Sequence, residues 1–186
     1  MRILVLCASF WPALGGMERI TEELLLALQE RHHQVAVFCN SAPGQPERAT
    51  YRGISVFRAD LENILAWQDL EVFTLLKKKV QDLLSEFQPD CLHISGSHFG
   101  LLFLLQFVRH RLPTLATLHG PMVGRDGLLP PSSRMSLARA HRIVCCSQWT
   151  LVHAREQLPE LTDRLSLVVN ALRFPGKRPS WKHPST

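Results

Sequence analysis

The sequence predicts an α/β fold: a mostly parallel, seven-stranded sheet with helices on both faces. Three observations predict it. Short apolar segments of strand length recur at residues 2–9, 35–39, 54–58, 91–95, 114–118, 142–146 and 165–169. Segments with helical spacing separate most of them. Several of these runs are apolar without alternation, the mark of strands buried on both faces. Such strand–helix–strand units cross over right-handedly and build parallel sheets.

Taken in order, Arg2–Ser9 is the first strand, and Gly15-Gly16 closes the turn after it. Its apolar run stops at Trp11-Pro12 without a cleavage site, so it reads as a strand and not as a signal peptide. A helix begins at the two glycines. Met17, Ile20, Leu24, Ala27 and Leu28 repeat at helical spacing, and Glu18, Glu22 and Glu23 lie in its first turns, where the helix dipole favours acids. Val35–Cys39 is the second strand, Pro43-Gly44-Gln45-Pro46 a loop, and Ile54–Arg58 the third strand. Residues 69–87 predict a long amphipathic helix with Phe73, Leu76, Val80, Leu83, Leu84 and Phe87 on one stripe, closed by Pro89. Lys77-Lys78-Lys79 falls on its solvated side. Cys91–Ser95 is a strand, followed by a very apolar helix at about 99–109. Thr114–Leu118 is a strand ending in His119-Gly120-Pro121. A short helix near 133–140 precedes the strand Arg142–Cys146. Ser147 caps a helix reaching Leu158, and Leu165–Val169 is the last strand. Beyond Asn170 the periodicity stops. Residues 1–172 therefore form one domain, and 173–186, with Pro175, Pro179 and Pro184, read as a basic linker or tail.

Composition narrows the function classes. No apolar stretch reaches the ~18 to 20 residues that span a bilayer. Five cysteines, an odd number, all lie in apolar runs without CxxC or Cys/His zinc spacing. They read as buried small hydrophobes in a reducing compartment, which predicts a cytoplasmic protein. The net charge is +5, but Arg173, Lys177, Arg178 and Lys182 supply +4 of it from the tail. A nearly neutral body with a basic end gives no reason to expect nucleic acid.

In parallel sheets of this kind ligands bind beyond the carboxyl ends of the strands, and that rule selects the candidates. Gly15-Gly16 at a helix start suits an anion such as phosphate: the backbone can come close, and the first amides are free. The alternative is a plain tight turn. A nicotinamide or flavin enzyme fits poorly, because GxGxxG is absent and Asn40 stands where a ribose-binding acid belongs. Gly96-Ser97-His98-Phe99-Gly100 is no hydrolase elbow, since His98 holds the place between the glycines that serine needs. His93, His98 and His119 share strand ends, yet no His-x-x-x-His pair or nearby carboxylate supports a metal. His93 alternates with apolar residues and is expected to face the core.

Six segments together resemble the amino-terminal domain of family 4 retaining glycosyltransferases, which have the GT-B architecture of two Rossmann-like halves. They are Phe10-Trp11-Pro12 with Gly15-Gly16-Met17-Glu18-Arg19, Pro89-Asp90-Cys91-Leu92-His93, Thr117-Leu118-His119-Gly120, Cys146-Ser147-Gln148-Trp149 and Val168-Val169-Asn170-Ala171. The last departs from the family's usual Asn-Gly. The resemblance implies a hexosyl transfer from a nucleotide-diphosphate sugar, bound as substrate without a resident cofactor or metal. The acceptor would be a small molecule, lipid or glycan, with peripheral membrane contact possible. His119 would face the transferred sugar, Gly15 and Gly16 would lie close to a phosphate, and His98, Ser147, Gln148 and Asn170 would line the cleft. Asp126 and Glu18 are acidic candidates by position alone. The family's donor-binding carboxy-terminal domain has no counterpart in these residues, which predicts negligible activity for this polypeptide by itself. A separate reading is a non-catalytic phosphate- or nucleotide-binding module acting through a partner chain.

Overall fold

A computed structural model describes residues 1–61, 70–96, 104–105, 112–120 and 129–172. Eight strands form one sheet: β1 (Arg2–Cys7), β2 (Gln34–Asn40), β3 (Arg48–Tyr51), β4 (Ile54–Ala59), β5 (Cys91–Ser95), β6 (Thr114–Leu118), β7 (Arg142–Cys145) and β8 (Leu165–Leu167). Their order is β3-β4-β2-β1-β5-β6-β7-β8. Every neighbouring pair is parallel except β3 and β4. The described helices are α1 (Gly16–Glu30), α2 (Leu70–Phe87), α3 (Pro131–Leu137) and α4 (Gln148–Gln157), with a 3-10 turn at Pro159–Arg164.

The sheet thus has one strand more than the seven expected. β3 lies at the edge, and its four residues are half-buried or exposed, so no apolar run announces it. It folds back on β4 through Arg52 (φ 49°) and Gly53 (φ 80°), two left-handed residues that match the twist of a tight hairpin. Three predicted strands end early, at Cys7, Cys145 and Leu167. Val168 and Val169 are apolar but exposed, so composition overstated the last strand.

Side chains alternate along each strand and build a core on each face. On one face Leu4, Leu6, Ala36, Phe38, Leu92 and Ile94 pack with Leu76, Val80 and Leu83 of α2. On the other, Ile3, Val5, Cys7, Val35, Val37 and Val56 pack with Leu25 of α1. Each leucine so buried contributes about 1.5–3 kcal/mol. The stripe expected on α1 is corrected by one position. Its fully buried residues are Thr21 and Leu25, while Met17 and Leu24 reach solvent. Of the apolar run at 99–109, Leu104 and Leu105 lie in the core, and the rest is outside the described residues.

The amino terminus is tied at the opposite end of the sheet from the loops discussed below. The Arg2 amide donates to Asp90 Oδ2 at 2.7 Å, and Met1 is exposed beside it. The chain runs outward from β1 through β2 to β4, then returns to the other side of β1 with β5. The strand order therefore reverses between β1 and β5, and in sheets of this kind ligands bind beyond the strand ends at such a reversal.

Candidate functional site

The loop after β1 leans toward the β3–β4 side of the sheet. Phe10 is buried, and Trp11 stacks on Tyr51 with ring centres 4.9 Å apart. Arg58 of β4 lies only 3 % exposed beneath the loop. Its guanidinium donates to the Trp11 carbonyl at 2.7 Å and the Pro46 carbonyl at 3.1 Å. Those bonds satisfy a buried cation and hold two loops to one strand.

Gly15 is the N-cap of α1, in extended backbone and without a side chain to cap the helix. Gly15 and Gly16 are both exposed. A Cβ placed on Gly16 would meet nothing within 4 Å. One on Gly15 would strike the Glu18 carboxylate. That carboxylate accepts a hydrogen bond from the Ser9 hydroxyl and lies against the helix start. An acid in the first turn is favoured by the helix dipole, so the chain supplies its own anion on the Gly15 side. The Gly16 side is open.

His119 follows β6 and is half-buried. Its Nε2 lies 3.2 Å from Ser95 Oγ, and Ser95 Oγ lies 3.0 Å from Thr21 Oγ1. Both hydroxyl-bearing residues are buried. The imidazole ending β6 is thus joined through β5 to the first turns of α1. His119 Nδ1 is also buried and has no hydrogen-bond partner among the described residues. Burial pushes the imidazole below its ordinary value. His93 sits deeper in β5, with Nε2 2.8 Å from Thr117 Oγ1. Burial, with His119 nearby adding to it, holds His93 down to about 4. Both rings are neutral near pH 7.

The other predicted site residues fall along the same rim. Ser147 follows β7 and caps α4: its Oγ accepts from the Thr150 amide at 3.1 Å and lies 2.9 Å from Thr150 Oγ1. Gln148 opens α4 with its side chain exposed, and Asn170, beyond β8, is exposed as well. With strands about 4.8 Å apart, Asn170 stands two strands from His119 on the side away from the diglycine. The structure does not bring Asn170 and Gly15 together. His98 and Asp126 lie outside the described residues. Among the described residues no group of three His, Cys, Asp or Glu side chains is placed to hold a metal. All five cysteines are free, three of them fully buried. Lys77 and Lys78 are exposed, and Lys79 pairs with Glu47 at 2.6 Å.

Sequence reasoning passed over Thr21 and Arg58, and it reached Ser9 and Ser95 only as strand-end positions, without giving them a role. Thr21 had a signal, a hydroxyl set among apolar helix positions. Ser95 closes a strand on the binding rim, a place where any polar residue merits attention. Arg58 gave none, because a buried arginine on a strand looks like an edge residue.

Residues 14–172 match the sequence profile of the family described as Glycosyltransferase Family 4. The search of curated proteins found no match to this sequence. Among solved structures, sucrose-phosphate synthase from Thermosynechococcus elongatus superposes with a TM-score of 0.67 at 13% identity, covering 91% of this chain and 48% of that one. The catalytic domain of starch synthase IV from Arabidopsis thaliana, bound to ADP and acarbose, gives 0.60 at 10% identity, covering 90% and 51%. UDP-N-acetylglucosamine 2-epimerase from Rickettsia bellii gives 0.59 at 11% identity, covering 91% and 45%. The chain therefore spans about half the length of these three structures. At such identities the likeness concerns the fold, which transferases and an epimerase share. Among the described residues no helix is long and apolar enough to cross a membrane.

Proposed function

Because this chain belongs to glycosyltransferase family 4, we propose that it is the acceptor-side half of a retaining hexosyltransferase. Its donor would be a nucleotide-diphosphate sugar, and its acceptor the hydroxyl of a small molecule, lipid or glycan. The observation that carries the reading is the family match over residues 14–172, with solved structures of the same fold covered over about half their length. The strand order supports it: the open helix start after β1 and the imidazole after β6 lie two strands apart along one rim of the sheet.

In this reading the free amides at the start of α1 stabilise the negative charge of the departing diphosphate. The ligand approaches over Gly16, because the Glu18 carboxylate already lies against Gly15. His119 hydrogen-bonds the transferred sugar and orients it. Ser147, Gln148, His98 and Asn170 shape the loops around the acceptor, and the reaction takes place in the cytoplasm. Transfer needs both substrates held in near-attack geometry with water kept out, which closure of a second, donor-binding domain supplies.

Two assays test the proposal. Incubated alone with UDP-, ADP- and GDP-sugars, the chain releases nucleoside diphosphate no faster than buffer. Joined to a donor-binding GT-B half, it transfers sugar, and His119→Ala lowers that rate by about 100-fold, the scale of losing one positioned polar group. Ordinary turnover by the chain alone would overturn the half-enzyme reading. An unchanged rate in the His119 variant would remove that residue from the site.

A further inference from the structure

Three polar side chains from three elements meet where the surroundings are apolar: Thr21 of α1, Ser95 closing β5 and His119 after β6. Thr21 is 2 % exposed and Ser95 6 %. Leu25 follows Thr21 one turn along the helix, and Ile94 precedes Ser95, both fully buried. Hydroxyls in such a place stay because each has a partner.

A hydroxyl has one proton to donate. Ser95 has two neighbours, and when it spends its proton on one of them it accepts from the other. The protons therefore run in one direction along the whole relay. Either Thr21 donates to Ser95 and Ser95 to His119 Nε2, or the ring donates to Ser95 and Ser95 to Thr21. In both orders Nε2 is committed within the protein. A neutral imidazole carries one proton, so whatever fixes the state of Nε2 fixes that of Nδ1. Nδ1 is the nitrogen left without a partner among the described residues.

We propose that Ser95, backed by Thr21, is the positioning residue for His119. It holds the imidazole by Nε2 in a single tautomer, and so fixes the proton state of the buried Nδ1. This positioning deepens the reading of His119 as facing the sugar and does not depend on it. His93 belongs to a separate pair with Thr117 and does not share the Ser95 hydroxyl.

The test uses the 15N-labelled chain without ligand and reads the nitrogen shifts of His119 by NMR at neutral pH. The native chain shows two well-separated shifts, the pattern of one tautomer. Ser95→Ala draws them together as the ring exchanges between tautomers, whereas Ser95→Thr restores the separation. The His93 shifts stay fixed in every variant and serve as the internal control. If Ser95→Ala does not fold, Thr21→Val carries the same expectation, since it breaks the relay one step further back. A folded Ser95→Ala chain with native His119 shifts would overturn the proposal, and so would native shifts in Thr21→Val if that variant alone folds. An inactive two-domain enzyme would instead remove the sugar-facing role and leave the tautomer result standing.

Discussion

His93 occupies a core position in β5, 7 % exposed, with its ring held at about 4 against the usual 6.5. Between about pH 4 and 6.5 the ring is neutral in the folded protein and protonated in the unfolded one. The stability this represents is complete above about pH 6.5 and is lost as pH falls toward 4, because the unfolded chain takes up a proton that the folded one refuses. The total is roughly 3 kcal/mol. Urea midpoints measured at pH 7 and pH 5 should fall with acid, and His93→Gln should remove most of that fall; the lowered His119 supplies a remainder of the same sign. The glycines give a second test. Gly16→Ala enters open space, so it should leave the melting temperature unchanged or higher while weakening binding of a nucleoside diphosphate by steric exclusion. Gly15→Ala should displace the Glu18 carboxylate and break its bond to Ser9, seen as lost protection of the helix start in hydrogen exchange. The glycines and His119 were legible in the sequence because their chemistry depends on residue type and strand-end position. The hydroxyls of Ser95 and Thr21 were not, since their roles arise from the pairing of β5 with β6 and the seating of α1 over them.

The β3–β4 hairpin was invisible as a strand, although its turn was written in the sequence. Gly53 permits the left-handed backbone at the second turn position, and Arg52 takes the first while pairing with Glu22 at 3.0 Å. Gly53→Ala should cost about 1 kcal/mol, and its Cβ would also press on the Gln29 side chain at 3.2 Å. Chemical denaturation measures that loss, and Arg52→Gly should lose less, since it gains backbone freedom as it gives up an ion pair of small value. The buried strands of the sheet centre were legible because a run such as Ile3–Cys7 has no other stable home. The shifted stripe on α1 shows the opposite case. Its apolar residues cover a broad arc, and only packing against Val37 and Val56 decides that Leu25, and not Leu24, faces inward.

At the scale of the molecule, the sheet order reverses between β1 and β5, and the alternation of strand and helix patterns in the sequence had announced a parallel sheet of this kind. What it did not place was the breadth of the rim, with Asn170 and the diglycine roughly 19 Å apart across four strand spacings. A ligand bridging them must be long or must be met by a second domain. Size-exclusion and turnover measurements on a fusion to a donor half should show transfer only when that half is present. The fastening of Arg2 to Asp90 bears on how such measurements are made. β1 carries the chain about 20 Å from Met1 to the opposite rim. A tag fused at Met1 therefore leaves from the far side. Tethering the protein to a sensor surface by that end turns the diglycine and His119 toward the flowing solution, with no linker crossing in front of them.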